Sequence, residues 1–305
     1  MRRARDDFTR AEDQLFAKYS LPLERRRLAL RDPALSVGVV ETGEGAPVLF
    51  VHGSGMSGAT WAPMLAHLRD RRVFAVDLPG FGASDPYDYR GRSLREHAVA
   101  QVTSMLDVLG LERAPLVGTS LGAMWSLCAA VDAPERVESV VAFGMPAVSL
   151  PGLLRDPFFG AFTTPGLGRL MKHMPPPRSA KAMRKAGARA FGARATERMP
   201  DEFYELCRQI VAQPAWGNAM WTHLNLAMRM GKARPENALT ADDLRSLTMP
   251  VRFVWGDDDA YGRPDVAADA LELIGDVEMH VVEGGHAPFL DEPERSAAVV
   301  RAVTS

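Results

Sequence analysis

Short apolar runs alternate with longer amphipathic segments along most of the chain, which predicts alternating strands and helices. The clearest predicted strands are residues 47–51, 72–77, 114–118, 137–143, 251–256 and 277–283. Their nearly continuous apolar character is typical of strands buried on both faces of a parallel sheet. Residues 28–31 and 36–41 are predicted as a leading antiparallel hairpin. The pattern indicates an α/β fold with a mostly parallel central sheet flanked by helices.

Helical periodicity fills the gaps between the predicted strands. The predicted helices are residues 59–69, 94–109, 121–131, 265–274 and 292–303. Ser93 followed by Glu96 is typical of a capping box at the start of the second of these. At the N-terminus, residues 5–19 are interpreted as a helix lying on the surface, within an N-terminal extension of residues 1–20.

The alternation stops between about residues 147 and 236, where proline, glycine, methionine and arginine are frequent. Helical patterns remain visible there, for example at residues 179–191 and 202–212. We therefore predict an α/β core of residues 1–146 and 238–305, with a helical cap over residues 147–237. Residues 147–236 hold fourteen Lys and Arg against six Asp and Glu, so this segment carries +8 and the remainder −10.

Composition narrows the class of protein further. A chain of 305 residues with a net charge of −2 suits one large folded domain with an insert, and gives no indication of a nucleic-acid partner. The sequence has neither a signal-peptide pattern nor a membrane-spanning run, so we expect a cytoplasmic protein. Cys128 and Cys207 match no metal-binding spacing and are predicted to be buried reduced thiols.

The segment with the clearest chemistry follows the third predicted buried strand. That strand leads into Gly118-Thr119-Ser120-Leu121-Gly122, and a helical pattern begins at once. A strand, a sharp turn bearing serine and a helix form a nucleophile elbow, in which the flanking Gly118 and Gly122 leave room for neighbouring backbone. An alternative is that Ser120 only caps the helix. We favour a nucleophile because a base, an acid and an oxyanion loop accompany it.

Two later segments supply a base and an acid, in the chain order serine, aspartate, histidine. His286 follows a strand and two glycines, and it would take the proton from Ser120. Asp259 would orient His286, although Asp257 and Asp258 adjoin it and compete for that assignment.

An oxyanion hole needs two backbone N–H groups. Leu121 follows the nucleophile directly and would supply one of them. Ser54, with Gly55 as the neighbouring candidate, would supply the other from the loop His52-Gly53-Ser54-Gly55. His52 is interpreted as a structural residue that holds this loop, and the segment 77–85 as a shaping turn.

Five segments together resemble the α/β-hydrolase superfamily, over about residues 36–146 and 238–305. They are HGSG at 52–55, DLPGFGASD at 77–85, GTSLG at 118–122, WGDDD at 255–259 and GGHAPF at 284–289. The resemblance implies that the acid is Asp259 and that the insert is a lid contributing to the acyl or alcohol pocket. It implies a small-molecule substrate. Neither a metal nor a cofactor is expected.

The serine nucleophile favours hydrolysis of a carboxylic ester, lactone or thioester through an acyl-enzyme. One alternative is hydrolysis of carbon–carbon bonds in ring-cleavage diketones by the same triad. Relatives of that kind often carry a proline-containing loop and an asparagine before the serine, whereas Met56-Ser57-Gly58 and Thr119 stand here. A second alternative is a non-catalytic, ligand-binding member of the fold.

The cap sequence leaves its role open. Its basic residues could attract an anionic substrate or a membrane surface, but a solvated helix face is the commoner explanation. These basic residues are Lys172, Arg178, Lys181, Arg184, Lys185, Arg189, Arg194 and Arg198. The candidates for an apolar pocket wall are Phe158, Phe159, Met220, Trp221 and Met228, with packing inside the cap as the alternative. Met124 and Trp125 are interpreted as core.

Overall fold

A computed structural model describes residues 2–153 and 155–304. Eight strands form one sheet in the order β1-β2-β4-β3-β5-β6-β9-β10. They are β1 (Glu24–Leu30), β2 (Leu35–Thr42), β3 (Ala46–Val51), β4 (Arg71–Val76), β5 (Ala114–Thr119), β6 (Val137–Phe143), β9 (Val251–Gly256) and β10 (Val277–Val282). The two remaining strands, β7 (Met228–Arg229) and β8 (Lys232–Ala233), pair as a small separate hairpin.

The sheet is parallel from β4 to β10, and β1 and β2 join it in antiparallel pairing. Val48, Leu49, Phe50 and Val51 of β3 are all completely buried, as their unbroken apolar run predicts. The predicted fold class is therefore confirmed. Because the strands from β4 onward are parallel, their carboxyl ends meet at one edge, where the loops after β3, β5, β9 and β10 converge.

Fourteen α-helices lie within the described residues. They are α1 (Arg2–Lys18), α2 (Ala62–Leu65), α3 (Leu94–Leu109), α4 (Leu121–Asp132), α5 (Pro157–Phe162), α6 (Leu167–Met171), α7 (Ala180–Phe191), α8 (Ala193–Arg198), α9 (Asp201–Val211), α10 (Trp216–Ala227), α11 (Ala241–Arg245), α12 (Ala268–Leu271), α13 (Pro288–Asp291) and α14 (Pro293–Val303). Helix α3 begins with the predicted capping box, in which Ser93 and Glu96 satisfy each other's backbone N–H groups.

Two predicted helices are wrong as continuous elements. Residues 59–69 fold as a 3₁₀ turn, Gly58–Trp61, followed by the short α2. Pro63 has no N–H to donate four residues back, so a regular α-helix cannot run through this segment from its start. Residues 265–274 likewise form the 3₁₀ turn Pro264–Ala267 and the short α12, after which Leu273 and Ile274 bond only three residues back.

Residues 147–237, the predicted cap, contain helices α5 to α10 and the β7–β8 hairpin. The N-terminal helix α1 packs against α9, and the side chain of Gln213 donates a hydrogen bond to the carbonyl of Ala4 at 3.1 Å. Cys128 and Cys207 are both free and buried, as predicted. Within residues 2–153 and 155–304, no helix has the length and apolar character needed to cross a bilayer.

Candidate active site

Ser120 lies at the turn between β5 and α4, with φ of 52° and ψ of −112°. A positive φ is costly for a residue with a side chain, and it persists only where the surroundings enforce it. Here the N–H of Ser120 donates to the carbonyl of Phe143 on β6 at 3.2 Å, and the carbonyl of Ser120 accepts from Met124 at 3.0 Å. These bonds fix the serine at the carboxyl edge of the sheet.

Glycines on either side of Ser120 allow this turn to form. A Cβ atom on Gly118 would lie 2.3 Å from the backbone of Gly122, and one on Gly122 would lie 2.0 Å from the carbonyl oxygen of Val51. Neither position can hold a side chain without moving the backbone of α4 or β3. The spacing of small residues around Ser120 is thus a steric requirement of this packing.

His286 and Asp259 are in direct contact. Nδ1 of His286 lies 2.8 Å from Oδ2 and 3.0 Å from Oδ1 of Asp259. The side chain of Asp259 is completely buried and that of His286 is 12% exposed. Because Nδ1 is engaged with the carboxylate, Nε2 is the ring nitrogen free to exchange a proton with a neighbouring group.

The environment of Asp259 favours its ionised form. Burial by itself would raise the pKa of Asp259, but His286 and two backbone donors lower it below its ordinary value. These donors are the N–H groups of Met145, at 2.8 Å from Oδ2, and of Tyr261, at 2.9 Å from Oδ1. Asp259 can therefore hold His286 in one tautomer and stabilise its protonated form.

The neighbouring aspartates point elsewhere. Asp257 accepts the N–H of Gly284 at 3.0 Å, and the side chain of Asp258 is 86% exposed with Arg263 at 3.5 Å. Among the three aspartates, only Asp259 contacts the histidine.

Ser120 and His286 both line the same cavity above the sheet edge. No hydrogen bond joins their side chains among those formed by the described residues. The ring of Tyr261 packs edge-on against His286, with 4.5 Å between the ring centroids.

The loop after β3 lies beside the nucleophile. A Cβ atom on Gly53 would lie 3.3 Å from Cβ of Ser120, so the backbone of this loop reaches the serine closely. Ser54 and Gly55 follow and line the same cavity. Leu121 is the first residue of α4, and N–H groups in a first helical turn have no partner within the helix.

His52 is enclosed beneath this loop. Its Nδ1 donates to the carbonyl of Gly53 at 2.7 Å, and its Nε2 accepts the N–H of Leu78 at 2.9 Å. Burial lowers the pKa of His52 to about 4, which keeps the ring neutral. With both nitrogens occupied, His52 shapes the loop and has no free nitrogen for proton transfer.

The turn after β4 is built around a buried carboxylate. Asp77 accepts the N–H groups of Gly58 and Ala83, both at 2.7 Å. Burial raises the pKa of Asp77 to about 6 despite these bonds. Its contacts within the segment 77–85 and with the start of the Gly58–Trp61 turn are structural.

Two residues of α10 contact the loop after β3, and nothing in the sequence singled them out for this contact. Nε2 of His223 accepts the hydroxyl of Ser54 at 3.0 Å, while its Nδ1 donates to the carbonyl of Ala219 at 3.0 Å. Nε1 of Trp216 donates to the carbonyl of Gly55 at 3.0 Å. Burial lowers the pKa of His223 to about 4, so it stays neutral and can accept this bond.

Two cavities of unequal size meet at Ser120 and His286. The larger has a volume of about 440 Å³ and extends beneath α5, α6 and α7, among Phe158, Phe162, Met171, Met174 and Met183. The smaller, of about 30 Å³, is bounded by Leu121, Met145, Leu224 and Met228. Such walls, mostly apolar with few polar groups, are typical of small-molecule sites.

The structure places four of the five candidate wall residues in the cavities and one outside them. Phe158 and Met220 line the larger cavity, Met228 lines the smaller one, and Phe159 lines both. Trp221 lines neither, and its ring instead lies 4.8 Å from the ammonium of Lys172. Met124 and Trp125 are completely buried core residues. Among the described residues, no group of three or more His, Cys, Asp or Glu is arranged to hold a metal ion.

Comparison with known proteins identifies the family. A model of the alpha/beta hydrolase family matches residues 48–299, which is most of the chain. This chain therefore belongs to the alpha/beta hydrolase family, as its fold and the segments around Ser120, Asp259 and His286 indicate. The relatives described below are named as hydrolases or esterases.

Three similar proteins represent the range of those relatives. A 2-hydroxymuconate semialdehyde hydrolase of Pseudomonas putida is 29% identical over 269 residues, covering 85% of this chain and 87% of that protein. A pimeloyl-[acyl-carrier protein] methyl ester esterase of Vibrio parahaemolyticus is 26% identical, covering 85% and 94%. The crystal structure of a carboxylesterase from Bacillus subtilis superimposes with a TM-score of 0.77 at 21% identity, covering 99% and 98%.

Proposed function

We propose that this protein hydrolyses carboxylic esters through an acyl-enzyme on Ser120. The observation that carries the proposal is the arrangement at the sheet edge, where a strained serine and an aspartate-bound histidine line one apolar cavity. Serine needs a neighbouring base to attack a carbonyl at neutral pH, and His286 is the base this arrangement offers.

In the proposed reaction, His286 Nε2 takes the hydroxyl proton as Ser120 Oγ forms a bond to the ester carbonyl carbon. The protonated histidine then gives that proton to the alcohol oxygen, and the bond between this oxygen and the carbonyl carbon breaks. A water molecule, deprotonated by His286, next attacks the acyl-enzyme, and the proton returns to Ser120 as the acid leaves. Asp259 stabilises the imidazolium in both halves.

The developing oxyanion needs donors that are already in place. We propose the N–H groups of Leu121 and Ser54, with Gly55 as the neighbouring candidate. Gly53 brings this loop against Ser120, and His223 holds the side chain of Ser54 from the cap.

The lack of unpaired positive charge in the described wall of the larger cavity favours an ester with an apolar chain. Among the described residues that line the larger cavity, Arg189 is the one lysine or arginine. Arg189 already forms an ion pair with Asp156 at 2.8 Å. A substrate carrying free carboxylates would therefore find no unpaired arginine or lysine on this wall. The unequal cavities further suggest that one side of the ester is large and the other small.

A second candidate is carbon–carbon bond hydrolysis. It is favoured by the similarity to the 2-hydroxymuconate semialdehyde hydrolase, which spans 85% of this chain. Turnover of a vinylogous diketone faster than of any ester would establish this candidate over the first.

Labelling with a fluorophosphonate probe tests the nucleophile. The wild-type protein should be labelled and Ser120→Ala should not, while Ser246→Ala, at an exposed serine, should label like wild type. Circular dichroism would verify that each variant is folded. Unchanged labelling of Ser120→Ala would contradict the proposal.

Substrate pairs test the shape of the site. We expect methyl esters of medium and long acyl chains to react at least tenfold faster than short acyl esters of long alcohols, or the reverse, because only one cavity accepts a long chain. Equal rates for both members of each pair would contradict the assignment of the two cavities.

A further inference from the structure

Large apolar side chains are exposed in one region of the cap. Five of them form what we term the apolar rim: Phe158, Leu167, Leu170, Met174 and Met230. Their exposed fractions run from 41% for Phe158 to 71% for Leu170. Outside this region, Val281 is the one other large apolar residue of comparable exposure among the described residues.

The rim is built from elements that touch one another. Helix α6 packs so closely on α5 that a Cβ atom on Gly168 would lie 1.9 Å from the carbonyl oxygen of Phe162. The β7–β8 turn joins them, because Met230 donates its N–H to the carbonyl of Thr163 at 3.2 Å. The apolar rim thus lies on adjoining elements, and exposed apolar side chains grouped in this way mark an interaction site.

This patch adjoins the larger cavity. Phe158 and Met174 both line that cavity and are exposed, at 41% and 58%. The cavity therefore reaches the protein surface at the apolar rim, and a molecule leaving a surface docked there would meet Ser120 along an apolar wall.

The segment that carries α6 and α7 is strongly basic. Residues 157–196 contain eight Lys and Arg and not one Asp or Glu. Arg184, Arg189 and Arg194 form ion pairs with acids outside this segment. The other five form no ion pair with a described residue, although Lys172 donates to Asn218 at 3.1 Å. The four that remain are exposed and make up what we term the basic belt: Arg169, Arg178, Lys181 and Lys185.

We propose that the apolar rim and the basic belt dock this protein on an anionic lipid surface. Apolar side chains next to unpaired cations are the combination that binds the boundary between headgroups and acyl chains. The solvated helix face favoured by the sequence alone accounts for the basic residues but not for the exposed apolar side chains beside them. The docked protein would then draw an ester dissolved in the lipid into the larger cavity. This second step rests in addition on the proposed function.

Vesicle binding tests the docking separately from catalysis. Ser120→Ala protein should sediment with vesicles of phosphatidylcholine containing 30% phosphatidylglycerol, and about tenfold less with pure phosphatidylcholine or in 0.5 M salt. Leu167→Ser and Leu170→Ser should each weaken binding about tenfold. The matched control Val281→Ser, an exposed apolar residue outside the rim, should bind like its parent.

Two results would overturn the docking. One is folded protein that does not bind anionic vesicles. The other is light scattering that shows a dimer which Leu170→Ser converts to a monomer, without vesicle binding, because the rim would then cover a second copy of this chain.

Activity separates the two proposals. Leu170 does not line either cavity, so Leu170→Ser should hydrolyse a soluble short ester like wild type. With a long-chain ester dispersed in anionic vesicles, the apparent KM of Leu170→Ser should rise at least fivefold above that of wild type. Vesicle binding without ester hydrolysis would uphold the docking and contradict the proposed function.

Discussion

The core and the cap hold their site residues in different ways. In the core, Ser120, Asp259 and His286 each follow a strand, and backbone bonds or buried contacts fix them at one edge of the sheet. In the cap, the residues near the site lie on helices and reach the core through a few side-chain bonds. Two examples beside Ser120 are His223 to Ser54 and Trp216 to Gly55.

Because of this difference, the groups proposed for catalysis lie in the core, and the surfaces proposed to select the substrate lie mostly in the cap. The carboxyl edge of the sheet holds the groups proposed to break a bond, and their geometry depends on close backbone packing around Gly118 and Gly122. The cap supplies most of the larger cavity and all of the apolar rim. Variants in the two regions should therefore fail in different ways.

The largest effect is expected for Asp259→Asn in the core. An amide cannot stabilise the imidazolium and favours the wrong tautomer of His286, so kcat should fall by about 10³- to 10⁴-fold. The matched variant Asp258→Asn, at an exposed aspartate, should keep at least half of the wild-type kcat. Steady-state kinetics on a soluble ester would measure both, and similar losses in the two variants would mean that Asp259 has no special part.

An intermediate effect is expected on stability below neutral pH. His52 from the core and His223 from the cap have pKa values lowered to about 4, whereas the unfolded chain protonates each near 6.5. Between these values the unfolded state binds more protons, so stability is lost as pH falls from about 6.5 to 4. Each histidine contributes at most about 3 kcal/mol to that loss.

Denaturant unfolding of histidine variants at pH 6.5 and 4.5 would measure these contributions. His52→Gln and His223→Gln should each show a smaller loss than wild type, and His67→Gln, at an exposed histidine, should not. Differences from wild type are the relevant quantity, because the raised pKa values of Asp77 and Asp291, both about 6, act in the opposite direction. If His223→Gln lost as much stability between pH 6.5 and 4.5 as wild type, while His52→Gln lost less, the cap would enclose its histidine less firmly than the core does.

The smallest effect is expected where the two regions meet. His223→Phe removes the acceptor for Ser54, so kcat on a soluble ester should fall about tenfold with little change in KM. Ser54→Ala should lose a similar amount, and the double variant little more, because both remove one interaction. His223→Gln should recover part of the loss, and His173→Gln, at an exposed cap histidine, should have no effect. A change confined to KM would place His223 in substrate binding only.

The sequence predicts the core well because local rules govern it. Buried parallel strands leave apolar runs, and the turn at Ser120 demands glycine at fixed spacing, so both are visible without a structure. The competing aspartates could not be separated by spacing alone. The N–H groups of Met145 and Tyr261, which single out Asp259, are tertiary contacts.

The cap is harder to predict because its site residues are also defined by tertiary contacts. His223 lies in the middle of an amphipathic helix, where a buried histidine looks like any other core residue, and its partner is 169 positions away. The exposure of Leu167 and Leu170 depends on how α6 packs, which no local pattern encodes. At residues 59–69 the apolar periodicity predicts one helix, but Pro63 interrupts it and the segment begins as a 3₁₀ turn.

The two bonds from α10 to the loop after β3 also link the nucleophile's surroundings to the wall of the larger cavity. Losing α10 from its place would remove the bonds of His223 and Trp216 to the loop beside Ser120. Helix α10 is itself packed against the end of α6, because a Cβ atom on Gly217 would lie 1.9 Å from the carbonyl oxygen of Lys172, whose ammonium donates to Asn218 at 3.1 Å. One helix therefore contacts both the loop that flanks Ser120 and the helix that carries part of the apolar rim.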